Sequence, residues 1–181
     1  MSIEYQNSTS KVCEPKPKKE INKQVDHTRD KVFERIPMAQ IILSYDCEIP
    51  ASERLKISHS RDAERIFRKL WNPKTIELQE QFGVLLLNNS NQVLGFYPQS
   101  LGGMTSTLVD VRLIMISALN TGALGIIVCH NHPSGSVRPS LSDRELTQKI
   151  KKATELLDIE FLDHIILTRE KYFSFADNGE I

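Results

Sequence analysis

The sequence lacks the features of a membrane or secreted protein. No stretch approaches the roughly 18 to 20 consecutive apolar residues that a membrane-spanning helix needs, and the N-terminus lacks the apolar core of a secretory signal. The three cysteines, Cys13, Cys47 and Cys129, are widely spaced and form no C-x-x-C pair, which argues against a disulfide framework and a cysteine-rich zinc finger. We therefore expect a soluble, cytoplasmic protein with reduced thiols and no membrane partner.

An excess of charge of one sign is also lacking. The 23 Lys and Arg residues balance the 23 Asp and Glu residues, whereas binding to a nucleic-acid backbone depends largely on clustered Lys and Arg. Charge therefore gives no support for a nucleic-acid partner. The 181 residues are enough for one ordinary domain and too few for two well-buried ones.

The composition changes near residue 36. Residues 1–35 are polar and lack sustained periodicity, which predicts a disordered N-terminal tail, and residues 36–181 form the predicted single domain. Apolar patterns in this domain predict five strands and three helices, an α/β fold with a mixed β-sheet flanked by helices. The predicted strands are 38–45, 82–87, 93–97, 124–129 and 159–167, and the predicted helices are 61–71, 108–119 and 141–157.

Three local features of the helices can also be predicted. Ser60 is the expected N-cap of the first helix, and Thr107 is the expected N-cap of the middle helix. The middle helix is almost continuously apolar, which predicts burial on most of its sides.

The most informative segment is 130–143, which follows the apolar strand pattern and reads HNHPSGSVRPSLSD. Residues i and i+2 of a strand face the same side, so His130 and His132 present two imidazoles together. Asp143 lies in the first turn of the next predicted helix, where the returning chain can bring its carboxylate to the same point. Two histidines and one carboxylate leave a fourth tetrahedral position for water, the pattern of catalytic zinc. We predict one Zn²⁺ per chain.

Each part of this segment also has a purely structural interpretation. Paired histidines at a loop often hydrogen-bond locally, and Ser140-x-x-Asp143 alone forms a helix capping box. What favours a metal site is the combination of H-x-H, seven residues and S-x-x-D between a buried strand and a helix N-terminus.

Other metal-enzyme motifs do not match this sequence. It has no H-E-x-x-H, and it lacks the H-x-E and P-C-x-x-C of zinc deaminases. The literal His-Asn-His string does not make an HNH nuclease, because the residues of that motif are spread over a longer unit.

The combined string resembles the JAMM signature of the JAB/MPN metalloprotease family, and H-N-H-P-S-G followed by P-S-x-x-D resembles its RadC branch. The resemblance covers about residues 77–175. It implies a JAB/MPN-like domain with cytidine-deaminase-like layers, and a zinc-dependent metallopeptidase that hydrolyses a peptide or isopeptide bond in a peptide or protein substrate.

The resemblance also nominates residues outside the signature. The family's glutamate general base precedes an early apolar strand, which nominates Glu80, with Glu77 as its rival. Asp163 and His164 match a pair found after the long helix in RadC-like chains. We expect them to support the metal ligands from behind, or His164 to be a core histidine with a partner.

Two features depart from the family pattern. Val111 precedes Arg112, where family members usually have proline, and segment 1–35 lacks the helix-hairpin-helix module of RadC-like chains. DNA association therefore follows from the family name alone.

The expected chemistry assigns a role to each site residue. Glu80 would accept a proton from a zinc-polarised water, and Ser140 would either donate a hydrogen bond to the oxyanion or act only as a helix cap. The alternatives are a non-catalytic interaction module linked to DNA repair and a metal-stabilised adaptor. The complete ligand set favours an enzyme.

Overall fold

A computed structural model describes residues 45, 47, 49–102 and 108–181. The predicted tail at 1–35, nearly all of the predicted strand at 38–45 and the predicted cap Thr107 lie outside the described residues. None of the helices in the described part of the chain is long and apolar enough to cross a membrane.

The described chain forms a five-stranded sheet with three α-helices packed on it, and the α/β prediction is confirmed. The strand order is β2-β1-β3-β4-β5. Strands β3 and β4 are parallel and the other neighbouring pairs are antiparallel, so the sheet is mixed as expected. The strands are β1 (Gln81–Leu87), β2 (Val93–Leu101), β3 (Gly125–Asn131), β4 (Glu160–Leu167) and β5 (Tyr172–Ser174), and the helices are α1 (Ser60–Leu70), α2 (Val111–Thr121) and α3 (Leu141–Glu155).

The sheet is covered on both faces by separate apolar clusters. Helices α2 and α3 bury residues such as Ile114 and Ile150 against one face, and α1 buries Phe67 against the other. Strand β3 is buried along its whole length, as expected for a central strand between two layers.

The topology brings three chain segments to one edge of the sheet. The carboxyl ends of the parallel strands β3 and β4 share this edge, and α3 begins a short loop after β3. Strand β1 is antiparallel to β3, with Phe82 opposite His130, so β1 begins where β3 ends. The residues just before β1 therefore lie beside the residues that follow β3.

A bulge in β4 changes which side chains share a face of the sheet. Ile126 pairs with Phe161, but Ile127 pairs with Asp163, so Leu162 is an extra residue. Because a bulge shifts the alternation of a strand, His164 faces the layer of α2 and α3, whereas Asp163 faces the layer of α1.

Four local details differ from the sequence expectations. Helix α1 begins at Ser60 and its N-cap is His59, because the Asp62 carboxylate accepts the Ser58 and His59 N–H groups and ends the extended chain one residue early. Strand β2 runs to Leu101, beyond the predicted end at 97. Pro98 does not end the strand, because β2 pairs with β1 alone among the described strands and an edge strand tolerates a residue that has no N–H to donate. Strand β5 was not predicted, because its three residues are too few to show an apolar alternation.

The middle helix, α2, also differs from the prediction. It begins at Val111 with Asp110 as its N-cap, and only one of its sides is buried. Leu113, Ile116 and Leu119 on the other side are each 41–52% exposed. A nearly continuous apolar run cannot show which side faces the sheet, and no described element covers the outer one.

We expect Gly83→Ala to destabilise the fold. A Cβ at Gly83 would lie 2.5 Å from the Phe96 ring and 3.2 Å from the Trp71 ring. The Phe96 ring is itself packed against Phe67 and Trp71, at centroid distances of 6.2 and 6.0 Å, so it has little room to move. The free energy of unfolding, measured by urea denaturation, should fall by about 1–3 kcal/mol, the range typical of overpacked cores.

Gly95→Ala is the matched control. Gly95 lies in the neighbouring strand β2, where a Cβ meets no atom within 4 Å. Both substitutions replace a strand glycine by alanine and share the same small backbone gain, so Gly95→Ala should not destabilise. Equal losses in the two variants would contradict the packing argument.

Candidate metal centre

Two histidines and one aspartate meet where β3 ends and α3 begins. The Nε2 atoms of His130 and His132 lie 3.0 Å apart. Asp143 Oδ1 lies 3.3 Å from Nε2 of His130, and Asp143 Oδ2 lies 3.5 Å from Nε2 of His132. The structure therefore brings together the three predicted ligands, in a group that could hold a metal ion.

The spacing of these groups is close to that of ligands around a tetrahedral zinc ion. With ligand bonds of about 2.0–2.1 Å, neighbouring ligand atoms in a tetrahedron are about 3.3–3.4 Å apart. The Nε2–Nε2 separation of 3.0 Å and the histidine–carboxylate separations of 3.3 and 3.5 Å are close to that value, and the last two involve different oxygens of Asp143. With one ligand atom taken from each residue, the three atoms lie within 4.8 Å of one another. Imidazole nitrogen and carboxylate oxygen are donors that Zn²⁺ accepts, so the chemistry of the group fits a zinc ion.

A buried chain of hydrogen bonds fixes the proton on His130. Thr147 Oγ1 donates its single proton to the Asp143 carbonyl at 2.6 Å, so it accepts from Nδ1–H of His164, 2.7 Å away. Nε2 of His164 then accepts from Nδ1–H of His130 at 2.8 Å. His130 is left with a lone pair on Nε2, the atom that faces the other two ligands.

The chain of hydrogen bonds requires a neutral His164, and its surroundings supply this condition. His164 is 0% exposed, and burial lowers its pKa well below the usual value, helped by the nearby His130. Its ring stacks on Phe175 with a centroid distance of 4.8 Å. The ring is thus fixed by packing on its face and by hydrogen bonds at both nitrogens.

His132 is oriented by the loop that follows it. Nδ1–H of His132 donates to the Ser136 carbonyl at 2.8 Å, so Nε2 faces His130 and Asp143. Burial alone would lower the pKa of His132, but hydrogen bonds with Asp143 and Ser136 outweigh it and raise that pKa. Two lone pairs 3.0 Å apart beside a carboxylate need a positive charge among them, so a proton and a metal ion compete for this place.

Ser140 aims the Asp143 carboxylate. The N–H and the hydroxyl of Ser140 both donate to Asp143 Oδ2 at 2.7 Å, and Asp143 N–H donates back to Ser140 Oγ at 3.1 Å. The capping box is therefore present and also orients a ligand. Burial alone would raise the pKa of Asp143, but hydrogen bonds with His130, His132 and Ser140 hold it well below its usual range.

Glu80 lies in the same cleft as the ligands, and Glu77 does not. The cleft has a volume of about 660 Å³, and its lining includes Glu80, Ser140 and Arg138 beside the three ligands. Glu80 is half-buried, and burial raises its pKa although the nearby His130 and His132 oppose this. Glu77 is exposed and pairs with Arg169 at 2.8 Å.

The side chains of Asp163 and His164 point to opposite faces of the sheet, although the two residues are adjacent in β4. His164 contacts the ligand His130 directly. The Asp163 carboxylate faces the layer of α1 instead, where it accepts from Ser174 Oγ at 2.7 Å and from Ala176 N–H at 3.0 Å. Of these two residues, the structure therefore brings only His164 to the candidate metal centre.

Thr147 is a site residue that the sequence analysis missed. Its side chain is buried, and it lies one helical turn after Asp143. Residues four apart on a helix share a face, so a threonine at this spacing from a ligand was the available signal. Threonine is too common in helices for that spacing to stand out without the fold.

Comparison with known proteins agrees with this geometry. Residues 57–180, more than half of the chain, match the RadC-like JAB domain. The chain belongs to the RadC-like JAB domain family. This confirms the resemblance inferred from the H-x-H and S-x-x-D residues.

Relatives of this family are found in several bacteria. A UPF0758 protein of Flavobacterium johnsoniae is 50% identical over 125 residues, which are 68% of this chain and 53% of that protein. A UPF0758 protein of Porphyromonas gingivalis is 43% identical over 133 residues, 72% of this chain and 58% of that protein. The chain thus spans about half the length of the curated relatives it matches.

We expect the metal-free preparation to take up one Zn²⁺ per chain. Zinc content should be measured by elemental analysis after purification without affinity-tag metal, and again after titration with Zn²⁺. His132→Ala removes one of three ligands and should lose the metal, whereas His59→Ala changes an exposed histidine at the N-cap of α1 and should keep it. A wild-type protein that takes up no zinc would contradict the ligand assignment.

We expect Thr147→Val to weaken zinc binding without changing any ligand. Valine has nearly the same shape but cannot accept from His164, which frees His164 to place its proton on Nε2 and His130 to place its proton on the ligand nitrogen. Zinc affinity, measured by competition with a chelator, should fall by about 10- to 100-fold, as for other partners of metal ligands.

Thr154→Val is the matched control for this substitution. Thr154 is also buried on α3 and lies two helical turns after Thr147. Its hydroxyl donates to the Lys151 carbonyl and not to a residue of the site. Zinc affinity should be unchanged in this variant. The same loss in both variants would show that α3 is generally perturbed and would contradict the assigned tautomers.

Proposed function

We propose that this protein is a zinc-dependent hydrolase of the JAMM type that cleaves a peptide or isopeptide bond in a peptide or protein substrate. The observation that carries this proposal is the convergence of two imidazoles and one carboxylate, His130, His132 and Asp143, along one side of a cleft that Glu80 also lines. Membership of the RadC-like JAB domain family supports it.

A bound zinc ion would supply a polarised water whose pKa falls from 15.7 to about 7. His130, His132 and Asp143 would hold the ion. Three protein ligands leave a fourth position for water or substrate, which is typical of catalytic rather than structural zinc.

Glu80 has the properties that a general base at this site needs. Its carboxylate lies in the cleft of the ligands, and burial raises its pKa toward neutrality. A base is most effective when its pKa lies near the working pH. We propose that Glu80 accepts a proton from the attacking water and delivers it to the leaving amine. Because only the deprotonated carboxylate can do so, activity should rise with pH through the raised pKa of Glu80.

Ser140 is the proposed donor to the oxyanion. It lines the cleft at the N-terminus of α3, where the helix dipole favours negative charge. Its hydroxyl donates a hydrogen bond to Asp143 Oδ2, 2.7 Å away. To donate to a substrate, the hydroxyl must therefore break this hydrogen bond and form a new one. Of the two Ser140 donors to Asp143, only the N–H then remains.

We expect Glu80→Gln to abolish hydrolysis while zinc content stays at one per chain. Glutamine keeps the size of the side chain but cannot accept the proton. Cleavage should be measured by mass spectrometry on a library of peptides and of lysine-linked isopeptides, with the zinc-loaded protein. A chelator should stop cleavage in the wild type and leave the circular dichroism spectrum largely unchanged, since the two apolar layers do not depend on the site.

Glu77→Gln is the matched control, because Glu77 is the same residue type three positions earlier and pairs with Arg169 away from the cleft. It should cleave at the wild-type rate. Wild-type cleavage by Glu80→Gln would refute Glu80 as the base. Absence of cleavage of every peptide and isopeptide by zinc-loaded wild-type protein would contradict the proposed activity itself.

A further inference from the structure

Asn131, the middle residue of the His-Asn-His string, is held by four hydrogen bonds. It is 0% exposed and belongs to the end of β3, between two of the metal ligands. Its Oδ1 accepts from Trp71 Nε1–H at 2.9 Å and from Gln81 N–H at 2.8 Å. Its Nδ2 donates to the carbonyls of Ile76 at 2.7 Å and Gln79 at 3.0 Å. Every polar atom of this amide is thus satisfied.

The backbone partners of Asn131 lie in the segment that carries Glu80. Gln79 and Gln81 are its two chain neighbours, so Asn131 holds the backbone immediately before and after Glu80. The Glu80 carbonyl itself accepts from Gly102 N–H at 2.7 Å. Residues 72–80 contain only turns and irregular chain. The backbone of Glu80 is therefore held by these hydrogen bonds and by the first pair of the β1–β2 ladder, Gln81 and Leu101.

We infer that Asn131 is a positioning residue that fixes Glu80 relative to the metal ligands, an inference that rests on the proposed function. Side chains alternate along a strand, so β3 directs His130 toward the ligand cluster and Asn131 toward the opposite side. The same stretch of backbone thereby holds the metal ligands and the segment of the general base. A shift of the Glu80 backbone away from the ligands would therefore break hydrogen bonds to Asn131.

The test compares Asn131→Ala with Glu80→Gln in protein loaded with Co²⁺. Co²⁺ is the probe because its visible absorption responds to coordination geometry, whereas Zn²⁺ has a filled d shell. Glu80→Gln removes the carboxylate and should change the absorption bands. Asn131→Ala should displace the Glu80 carboxylate and change the bands in the same direction. The double variant should add nothing beyond Glu80→Gln alone, and zinc affinity should be unchanged in all three variants.

Asn88→Ala is the matched control. Asn88 also organises a turn, since its Oδ1 accepts from Ser90 N–H and Gln92 N–H at 2.9 Å, but it lies beyond the opposite end of β1 from Glu80. This variant should show the wild-type Co²⁺ spectrum. For any peptide found to be cleaved, kcat should fall on the order of 100-fold in Asn131→Ala, the size expected for a misplacement of about 1 Å, and stay unchanged in Asn88→Ala.

The outcomes separate this inference from the proposed function. A wild-type spectrum in Asn131→Ala, with an altered one in Glu80→Gln, overturns the inference alone. Loss of zinc binding in Asn131→Ala also overturns it, since Asn131 would then act on the ligands. An unchanged spectrum in Glu80→Gln removes Glu80 from the metal centre and overturns both.

Hydrogen exchange in the wild-type protein tests the same contact without a variant, which matters if Asn131→Ala does not fold. Gln81 N–H bonds to the Asn131 side chain, so it should exchange as slowly as the N–H groups in the interior of β1. Exchange of Gln81 N–H at the rate of an exposed turn would show that Asn131 does not hold this segment and would overturn the inference.

Discussion

The candidate metal centre depends on a buried lone pair of His130, and the direction of this lone pair is set by a chain of hydrogen bonds through His164 and Thr147 to Asp143. Nε2 of His130 can bind a metal only if the proton of its ring is on Nδ1, and the surrounding protein leaves no other choice. The Asp143 carbonyl accepts a hydrogen bond from the Thr147 hydroxyl, Thr147 accepts one from His164, and His164 accepts one from His130. All of these groups are buried, so no water competes for the hydrogen bonds, and an unpaired member would be costly.

The chain of hydrogen bonds begins and ends at candidate metal ligands, His130 and Asp143, and so links the strand and the helix that carry them. Asp143 contributes its carboxylate to the ligand cluster and its carbonyl to Thr147. A shift of α3 relative to β4 would therefore disturb both the carboxylate and the tautomer of His130. The apolar layer formed by α2 and α3 resists such a shift, because Ile150 of α3 is buried in the same cluster as Val128 of β3. Packing thus sets the precision of the site, and hydrogen bonds set its protonation.

Sequence patterns predicted that His130, His132 and Asp143 come together because the contacts that determine this are local. The spacing of His130 and His132 follows from strand geometry, and Ser140 with Asp143 follows from the rules of helix capping. Contacts between distant segments were not accessible in this way. Nothing in the sequence shows that Thr147 meets His164, or that Asn131 receives the indole N–H of Trp71, which lies 60 residues earlier.

The bulge at Leu162 decides which residue of the Asp163–His164 pair faces the candidate ligands. Regular alternation would place Phe161 and Asp163 on one face of β4 and His164 on the other. The extra residue moves His164 to the face of Phe161, where the ligands lie, and turns Asp163 toward Ser174. Bulges depend on pairing with the neighbouring strand, so a single strand pattern does not reveal them. The prediction that α2 is buried on most of its sides was wrong for a related reason, since the cover of a helix depends on partners that its own sequence does not specify.

The number of protein ligands bears on whether this centre would be structural or catalytic. Structural zinc is enclosed by four protein ligands, usually including cysteine. The described residues place three such groups together, and their nearest cysteine, Cys129, faces the layer of α1 on the other side of the sheet. The remaining side of the cluster opens into the cleft that holds Glu80. A metal there would meet solvent and a base of raised pKa, which is an unsuitable environment for a purely structural ion and a suitable one for hydrolysis.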